Sequence, residues 1–173
     1  MSPLSISTPP GARATHDSET RVSDDHHASL RLWLRLFTCT RMIERQVRSR
    51  LRDRFAMTLP RFDLMAQLER HPQGLRMGEL SQRLMVTGGN VTGITDQLVA
   101  EGLVERRPAP GDRRAYAIRL TAKGKRAFDA MASEHEQWVI GMLAGVAVAD
   151  REHLYALLGG VKSNLRAQEQ EER

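Results

Sequence analysis

Apolar side chains recur at steps of three and four along most of this chain, which is the spacing of helices that bury one face. The first such segment covers residues 28–55. Its stripe consists of Trp33, Leu36, Phe37, Thr40, Ile43, Val47, Leu51 and Phe55. The stripe is wide enough to be buried against other helices, so the pattern predicts one long amphipathic helix.

Two shorter helices are predicted next. Thr58 is a typical N-cap residue, and Pro60 falls in the first turn, where its missing N–H costs nothing. The core-facing side chains of this second helix are Phe62, Met65 and Leu68. The third helix is expected over residues 75–84, although Met77 stands where a Ser or Thr cap is usual.

A fourth helix is predicted to begin near Thr87, because Val91, Ile94 and Leu98 form one apolar stripe after it. The opposite face is expected to be small, polar and uncharged. Its members are Asn90, Thr92, Thr95 and Gln97. Such a face can lie against base edges in a major groove, where Asn and Gln pair with adenine and Thr contacts the thymine methyl. A solvated helix face is the alternative.

Beyond Gly102 the pattern changes to alternation on either side of a turn rich in Pro, Gly and Asp, which predicts a β-hairpin. Its basic residues and those just after it are Arg106, Arg107, Arg113, Arg114, Arg119, Lys123, Lys125 and Arg126. Only Glu105 and Asp112 oppose them. Arginines on such a tip can enter a narrow minor groove, where the negative potential is strongest.

Two further helices complete the pattern. Thr121 is expected to cap a long helix that leads into an apolar run at 138–149, about twelve residues and so shorter than the roughly 20 that span a bilayer. This run must be covered by protein. Asp150 is expected to cap a last helix with the stripe Leu154, Leu157, Leu158, Val161 and Leu165. Residues 1–27 are predicted to be a disordered tail and 168–173 a frayed one.

Composition narrows the partner. In 173 residues, which we expect to form one domain, the net charge is +5, so an anionic partner is favoured. Aromatic residues are only 5% of the chain, which argues against a stacking platform for single strands and favours duplex. The single cysteine, Cys39, excludes an internal disulfide framework and fits a reducing cytosol. Without a secretory signal or membrane span, the protein is expected to be cytoplasmic.

Several segments together resemble the multiple antibiotic resistance regulator (MarR) family of winged helix-turn-helix proteins. They are residues 80–84, 89–92, 98–106, the Asp112-Arg113-Arg114 tip and the Leu120-Thr121-Ala122-Lys123-Gly124 segment. The resemblance covers residues 30–165 and implies a mainly α fold with a small β-hairpin wing. It also implies a homodimer that binds palindromic duplex DNA and releases it when a small ligand or oxidant arrives. Residues 28–57 and 121–167 would then be dimerisation helices around a DNA-binding domain at 58–120.

The expected DNA contacts follow from these roles. The base-edge candidates are Thr87, Asn90, Thr92 and Gln97, some of which could contact phosphates instead. Arg106, Arg107 and Arg113 are expected to contact phosphates. By resemblance, Arg114 is the minor-groove arginine, and Asp112 holds the wing tip by ion pairing. A two-fold dimer would present its two recognition helices to successive major grooves, about 34–36 Å apart.

A small-molecule effector is a further expectation. Residues 32–36 and 58–64 resemble the branch of the family that controls hydroxycinnamate and other aromatic-acid catabolism, with some members responding to aryl-CoA thioesters. The expected ligand-binding residues are Trp33, Phe37, Phe62 and Met65 for the ring, and Arg41, Arg45 and Arg48 for carboxylate or phosphates. Alternatively, these side chains fill the core and solubilise a helix face.

Other functions have less support. A metal sensor could use His135 with Glu134, Glu136 or His153, but no pair has the usual His-x-x-x-His spacing. Cys39 is expected to be a buried structural cysteine, with oxidant sensing as the alternative. The chain carries no Gly-x-Ser-x-Gly, phosphate loop or Cys–His pair, so we expect neither catalysis nor a cofactor.

Overall fold

The structure, a computed structural model, describes residues 27–84, 88–109 and 112–171, with the backbone alone at 88, 109 and 112–115. The elements are α1 (Ala28–Phe55), α2 (Leu59–Glu69), β1 (Leu75–Arg76), α3 (Met77–Leu84), α4 (Gly88–Ala100), β2 (Val104–Ala109), β3 (Asp112–Leu120), α5 (Ala122–Met142) and α6 (Val148–Glu171). The expected class, mainly α with a small β wing, is confirmed. The chain divides into two compact units between Glu44 and Arg45, which differs from the single domain expected from its length.

Helix α1 has the bounds that its apolar spacing predicts. Within the first unit its side chains are exposed or half-exposed, and Trp33 stacks on Phe37 with ring centroids 5.8 Å apart. Within the second unit Val47 and Leu51 are buried. The expectation of a buried Cys39 is wrong, because this thiol is exposed. Cys39 is flanked by Thr38 and Thr40, and these two residues do not indicate whether the thiol lies on the buried or the exposed side of α1.

The core of the second unit forms around α2. Phe62, Met65 and Leu68 are buried, as their spacing predicts, and Phe62 stacks on Phe128 of α5 at 5.5 Å. Thr58 is the N-cap residue in position, but its hydroxyl makes no capping hydrogen bond. The start of α2 is therefore set by Pro60 and by packing rather than by a side-chain cap.

The prediction that a helix begins at Leu75 is wrong. Leu75 and Arg76 form β1, which pairs antiparallel with β3 to give a three-stranded sheet in the order β1-β3-β2. Gly74, with a φ of +91°, turns the chain into this strand, and its own amide donates to the carbonyl of His71. Helix α3 then begins at Met77, and the carboxylate of Glu79 accepts from the Arg76 N–H at 2.7 Å, as in half of a capping box.

Helix α4 buries the predicted stripe of Val91, Ile94 and Leu98. Thr95, which we expected on the polar face, is fully buried, and its hydroxyl lies 3.9 Å from the sulfur of Met77. The reason is that Thr95 follows Val91 by four residues and so shares its side of the helix. The expected start at Thr87 lies outside the described residues.

Three residues connect the end of α4, the wing and the start of α5, and we call this contact the α5 junction. They are Leu103, Thr121 and Gly124. The Thr121 hydroxyl accepts from the Gly124 N–H at 2.9 Å and donates to the carbonyl of Gly102 at 2.7 Å. The Thr121 N–H donates to the Leu103 carbonyl at 3.1 Å. A Cβ on Gly124 would lie 1.8 Å from that same carbonyl oxygen, so only glycine allows α5 to approach so closely.

Helix α6 differs from its prediction at both ends. It begins at Val148, so Asp150 lies in the first turn instead of capping it. It continues through Glu171, so residues 168–171 are helical rather than frayed. No residue of α6 is buried, and among the exposed apolar side chains are Leu154, Leu157, Leu158, Val161 and Leu165. In the part of the chain that the structure describes, no helix has the length and apolarity needed to cross a membrane.

We predict that Gly124→Ala lowers the free energy of unfolding by about 2 kcal/mol or more, because the new methyl group must push α5 away from the Leu103 carbonyl. Chemical denaturation monitored by circular dichroism measures this change. The matched control is Gly78→Ala in α3, where nothing lies within 4 Å of the added Cβ. We expect this control to be neutral or slightly stabilising; equal effects of the two substitutions would contradict the close approach at the α5 junction.

Candidate nucleic-acid interface

The outward face of α4 carries three of the expected base-contact residues. Asn90, Thr92 and Gln97 are exposed, while the opposite face is packed into the core. Helix α3, in which Leu80 is buried, packs against α4, which gives the two-helix arrangement of a DNA-reading motif. Thr87, the fourth expected contact, lies outside the described residues. The exposed side of α4 also carries Asp96, so the expectation of an uncharged face is wrong at this one position.

The wing presents two faces, because side chains alternate along β2 and β3. Cα pairing sets Arg106 opposite Ile118 and Arg107 opposite Ala117. The face that we call the inner wing face consists of Val104, Arg106, Pro108, Tyr116, Ile118 and Leu120. The outer wing face consists of Glu105, Arg107, Ala117 and Arg119. The sequence grouped Arg106 with Arg107 as phosphate contacts, but the structure places them on opposite faces.

The inner wing face is turned toward α4. Val104 and Ile118 are buried, and the guanidinium of Arg106 forms an ion pair with Asp96 of α4. Both partners are about half exposed, so this pair adds only about 0–1 kcal/mol to stability. The main effect of this ion pair is therefore to hold the wing in position against α4.

The outer wing face holds a small charge cluster. Glu105 accepts from Arg107 at 2.9 Å and lies 3.7 Å from Arg119. The hydrogen bond from Arg107 holds the pKa of the Glu105 carboxyl below its ordinary value. The carboxylate is therefore ionised at neutral pH and offsets part of the positive charge on this face.

The wing tip is described only in its backbone. Asp112 pairs with Ala109 at the end of the ladder, and an irregularity in register lies between Pro108 and Ala109. The side chains of Asp112, Arg113 and Arg114 lie outside the described part of the structure. Their expected roles stay predictions.

Sequence reasoning missed the buried charge of Arg61. Its guanidinium forms an ion pair with Glu101, directly after α4, and its Nε is buried without a hydrogen-bond partner among the described residues. Lys123 of α5 donates to the carbonyl of the same Glu101 at 2.8 Å. The signal was present in the spacing, because Arg61 begins a stripe that continues with Leu64, Met65 and Leu68. These contacts fix the end of α4 to both α2 and α5.

The expected ligand-binding residues fall into an exposed group on α1 and a buried pair on α2. Trp33 and Phe37 are stacked and more than half exposed, and Arg41 lies 3.4 Å from Glu44. Arg45 and Arg48 are exposed on α1. Phe62 and Met65 are buried in the core of the second unit, as in the alternative in which they serve packing alone.

Two cavities near these elements hold none of the expected ligand residues. One, of about 250 Å³, is lined by Leu68, Glu69, Pro72, Leu120, Thr121, Ala122 and Lys125. The other is an open surface depression of about 280 Å³ along α1, lined by Ala28, Arg31, Leu32 and Arg35. Neither cavity therefore identifies the expected effector site.

The histidine considered for metal binding lies among aromatic rings. The His135 ring is 5.2 Å from that of Phe62 and 6.4 Å from that of Trp138, and burial lowers its pKa. Glu134, a possible co-ligand, forms an ion pair with Arg54. Within the described ranges, no three His, Cys, Asp or Glu side chains are grouped so that they could hold a metal ion.

Comparison with known proteins gives a consistent result. The sequence model of the MarR family matches residues 57–115. A crystal structure of a MarR family transcriptional regulator from Silicibacter pomeroyi is 30% identical, with a TM-score of 0.70, over 83% of this chain and 99% of that one. The HTH-type transcriptional regulator PecS of Dickeya dadantii is 29% identical over 115 residues, which is 65% of this chain and 69% of PecS. The transcriptional activatory protein BadR of Rhodopseudomonas palustris is 24% identical over 158 residues, or 86% of this chain and 90% of BadR.

The family model covers the helix-turn-helix and the start of the wing, whereas the Silicibacter structure extends the likeness to the helices on either side. The identity of 30% and the coverage of 99% of that chain show that the likeness is not limited to the residues matched by the family model. This chain belongs to the MarR family of winged helix-turn-helix transcriptional regulators.

Proposed function

We propose that the protein is a ligand-responsive regulator that binds palindromic duplex DNA as a homodimer. The observation that carries the proposal is the exposed polar side of α4, with Asn90, Thr92 and Gln97, beside a wing rich in arginine. Short polar side chains can approach base edges closely, and the positive charge of the wing attracts phosphates. The one acidic side chain on this side of the helix, Asp96, is paired with Arg106.

The base contacts are assigned to α4. Asn90 and Gln97 can each form a pair of hydrogen bonds with adenine, and Thr92 and Thr87 can contact a thymine methyl or a phosphate. The exposure of Asn90, Thr92 and Gln97 supports this assignment. Each correct bidentate pair would discriminate against a wrong base by about 1–3 kcal/mol.

The wing is assigned to the DNA backbone and the minor groove. Arg114 inserts into the minor groove, Asp112 restrains the tip, and Arg113 neutralises a phosphate. Arg106 reaches a phosphate only by exchanging its ion pair with Asp96 for it. Arg107 lies on the outer wing face beside Glu105. It would therefore serve a phosphate on the far side of the wing from the one near Arg106.

A second copy of this chain is the proposed cover for the exposed apolar helices, through residues 28–57 and 121–167. Helix α6 runs for 24 residues without one buried side chain, and Leu157 and Leu165 are each more than half exposed. An apolar stripe of this length is unfavourable in water, and burying the exposed half of one such Leu side chain stabilises an assembly by about 1 kcal/mol. A two-fold pair would also explain why the recognised DNA should be palindromic.

We further propose that binding represses transcription, since a dimer seated at a promoter excludes polymerase. A relative, BadR, is named an activatory protein. In such a relative, the position of the binding site relative to the promoter would determine whether binding activates or represses transcription. Such a regulator acts where the DNA is, in keeping with the expected cytoplasmic location.

The proposed effector is an aromatic acid or its CoA thioester. Trp33, Phe37 and Arg41 follow one another at steps of four residues, so they lie along one side of α1. The stacked, exposed rings of Trp33 and Phe37 can accept another ring, and the arginine can bind a carboxylate or phosphate. Arg45 and Arg48 continue the basic series along the helix. Phe62 and Met65 are buried in the core of the second unit and are not included in this proposed site.

We predict that selection from a random duplex pool enriches an inverted repeat whose half-sites are about 10–10.5 bp apart. The measured dissociation constant for this repeat should rise steeply with salt, with a slope in log units of about 0.9 per phosphate neutralised. Arg114→Ala should weaken binding and lower that slope by roughly one contact in each subunit. Enrichment of a single half-site, or an affinity that does not change with salt, would contradict the proposal.

For the effector, we predict that hydroxycinnamic acids or their CoA thioesters quench the fluorescence of the exposed Trp33 and release the DNA. The matched variant is Trp33→Phe, which leaves the buried Trp138 as the remaining indole and should lose the quenching. Titration with the panel measures both effects. Silence across the panel would remove the aromatic effector, and release by peroxide that Cys39→Ser abolishes would replace it with the oxidant-sensing alternative.

A further inference from the structure

We infer that the Tyr116 hydroxyl donates a hydrogen bond to a phosphate oxygen of duplex DNA held between the wing and α4. The inference rests on the proposed function and adds to it a contact that the sequence did not suggest. The expected contacts were arginines and the short polar residues of α4, whereas Tyr116 is the aromatic residue of the wing.

The register of the hairpin places Tyr116. Its Cα pairs with that of Pro108, one step outward from the pair formed by Arg106 and Ile118. Residues two apart along a strand share a face, so Tyr116 lies on the inner wing face with Arg106. Because Arg106 forms an ion pair with Asp96 of α4, this face is the one beside the recognition helix.

Exposure changes sharply along this face. Ile118 is fully buried, whereas Tyr116, about 7 Å further out along the strand, is 57% exposed. The inner wing face therefore leaves the core between these two residues. A large ring with a terminal hydroxyl is therefore exposed to solvent on the wing face that carries Arg106.

Charge on the same face explains why a neutral donor is useful there. The guanidinium of Arg106 is already paired with a carboxylate of α4. A phosphate that enters this space meets a nearly balanced ion pair, and a phenol O–H can bind it without adding charge. Binding through a neutral donor releases no additional counterion, so its contribution to affinity does not depend on salt.

The outer wing face offers a contrast. Arg107 and Arg119 lie there with Glu105, on the side of the strands opposite to Tyr116. Tyr116 therefore shares its wing face with Arg106, the residue that pairs with α4, whereas Arg107, an expected phosphate contact, lies on the other face.

The test compares Tyr116→Phe with the wild type on a random-sequence duplex at several salt concentrations. We expect the dissociation constant to rise about fivefold at every salt concentration, the effect of one lost hydrogen bond, with an unchanged salt slope. Arg114→Ala, in contrast, should change the slope.

Three results would overturn the inference. Wild-type affinity in Tyr116→Phe, with an unchanged unfolding midpoint, would show that the hydroxyl makes no contact. A loss seen on a selected palindrome but not on random duplex would assign the hydroxyl to a base instead of the backbone. Failure of the wild type to bind any duplex would overturn the proposed function itself, and this outcome is distinguishable because it does not depend on the variant.

Discussion

The close approach of α5 to the Leu103 carbonyl is the constraint on which the arrangement of the second unit depends. The Thr121 N–H donates to this oxygen, and Gly124 provides the space that lets the helix lie against it. Leu103 itself is held by a hydrogen bond from its N–H to the carbonyl of Leu98 in α4. The end of the recognition helix, the base of the wing and the start of α5 are therefore fixed at one point.

Two charged contacts extend this constraint. Arg61 of α2 holds Glu101 at the end of α4, in a position where loss of the carboxylate would leave a buried guanidinium uncompensated. Asp96 and Arg106 brace α4 against the inner wing face. A change in the position of α5 must consequently reach both proposed DNA-reading elements. In the proposed dimer, the spacing between two such units would depend on how the paired helices hold α5.

Much of this fold could be predicted from the sequence where a periodic pattern is long. The bounds of α1, the buried stripe of α4 and the hairpin all follow from apolar spacing and turn residues. Strand β1 could not, because two residues are too few to show alternation, and only pairing with β3 defines them. Alternation along β2 also places Arg106 and Arg107 on opposite faces of the wing. Counting the positive charges of the hairpin does not show which face each arginine occupies.

Side chains whose surroundings come from other elements were harder to predict. Thr95 is polar in composition but lies on the packed side of α4, and Arg61 is charged yet begins a buried stripe. Free cysteines are usually buried, which favours a buried Cys39, but in this chain Cys39 is exposed. The sequence therefore predicts which helices and strands form the candidate site better than it predicts the face on which each side chain lies.

Amide hydrogen exchange at the α5 junction measures whether α4, the wing and α5 open together. We expect the amides of Leu103, Thr121 and Gly124 to exchange as slowly as those around the buried Leu98 of α4, because all of them open in one cooperative event. Exchange of the junction amides that is orders of magnitude faster, while α4 stays protected, would show that they open separately. It would mean that α5 moves independently of the recognition helix and the wing.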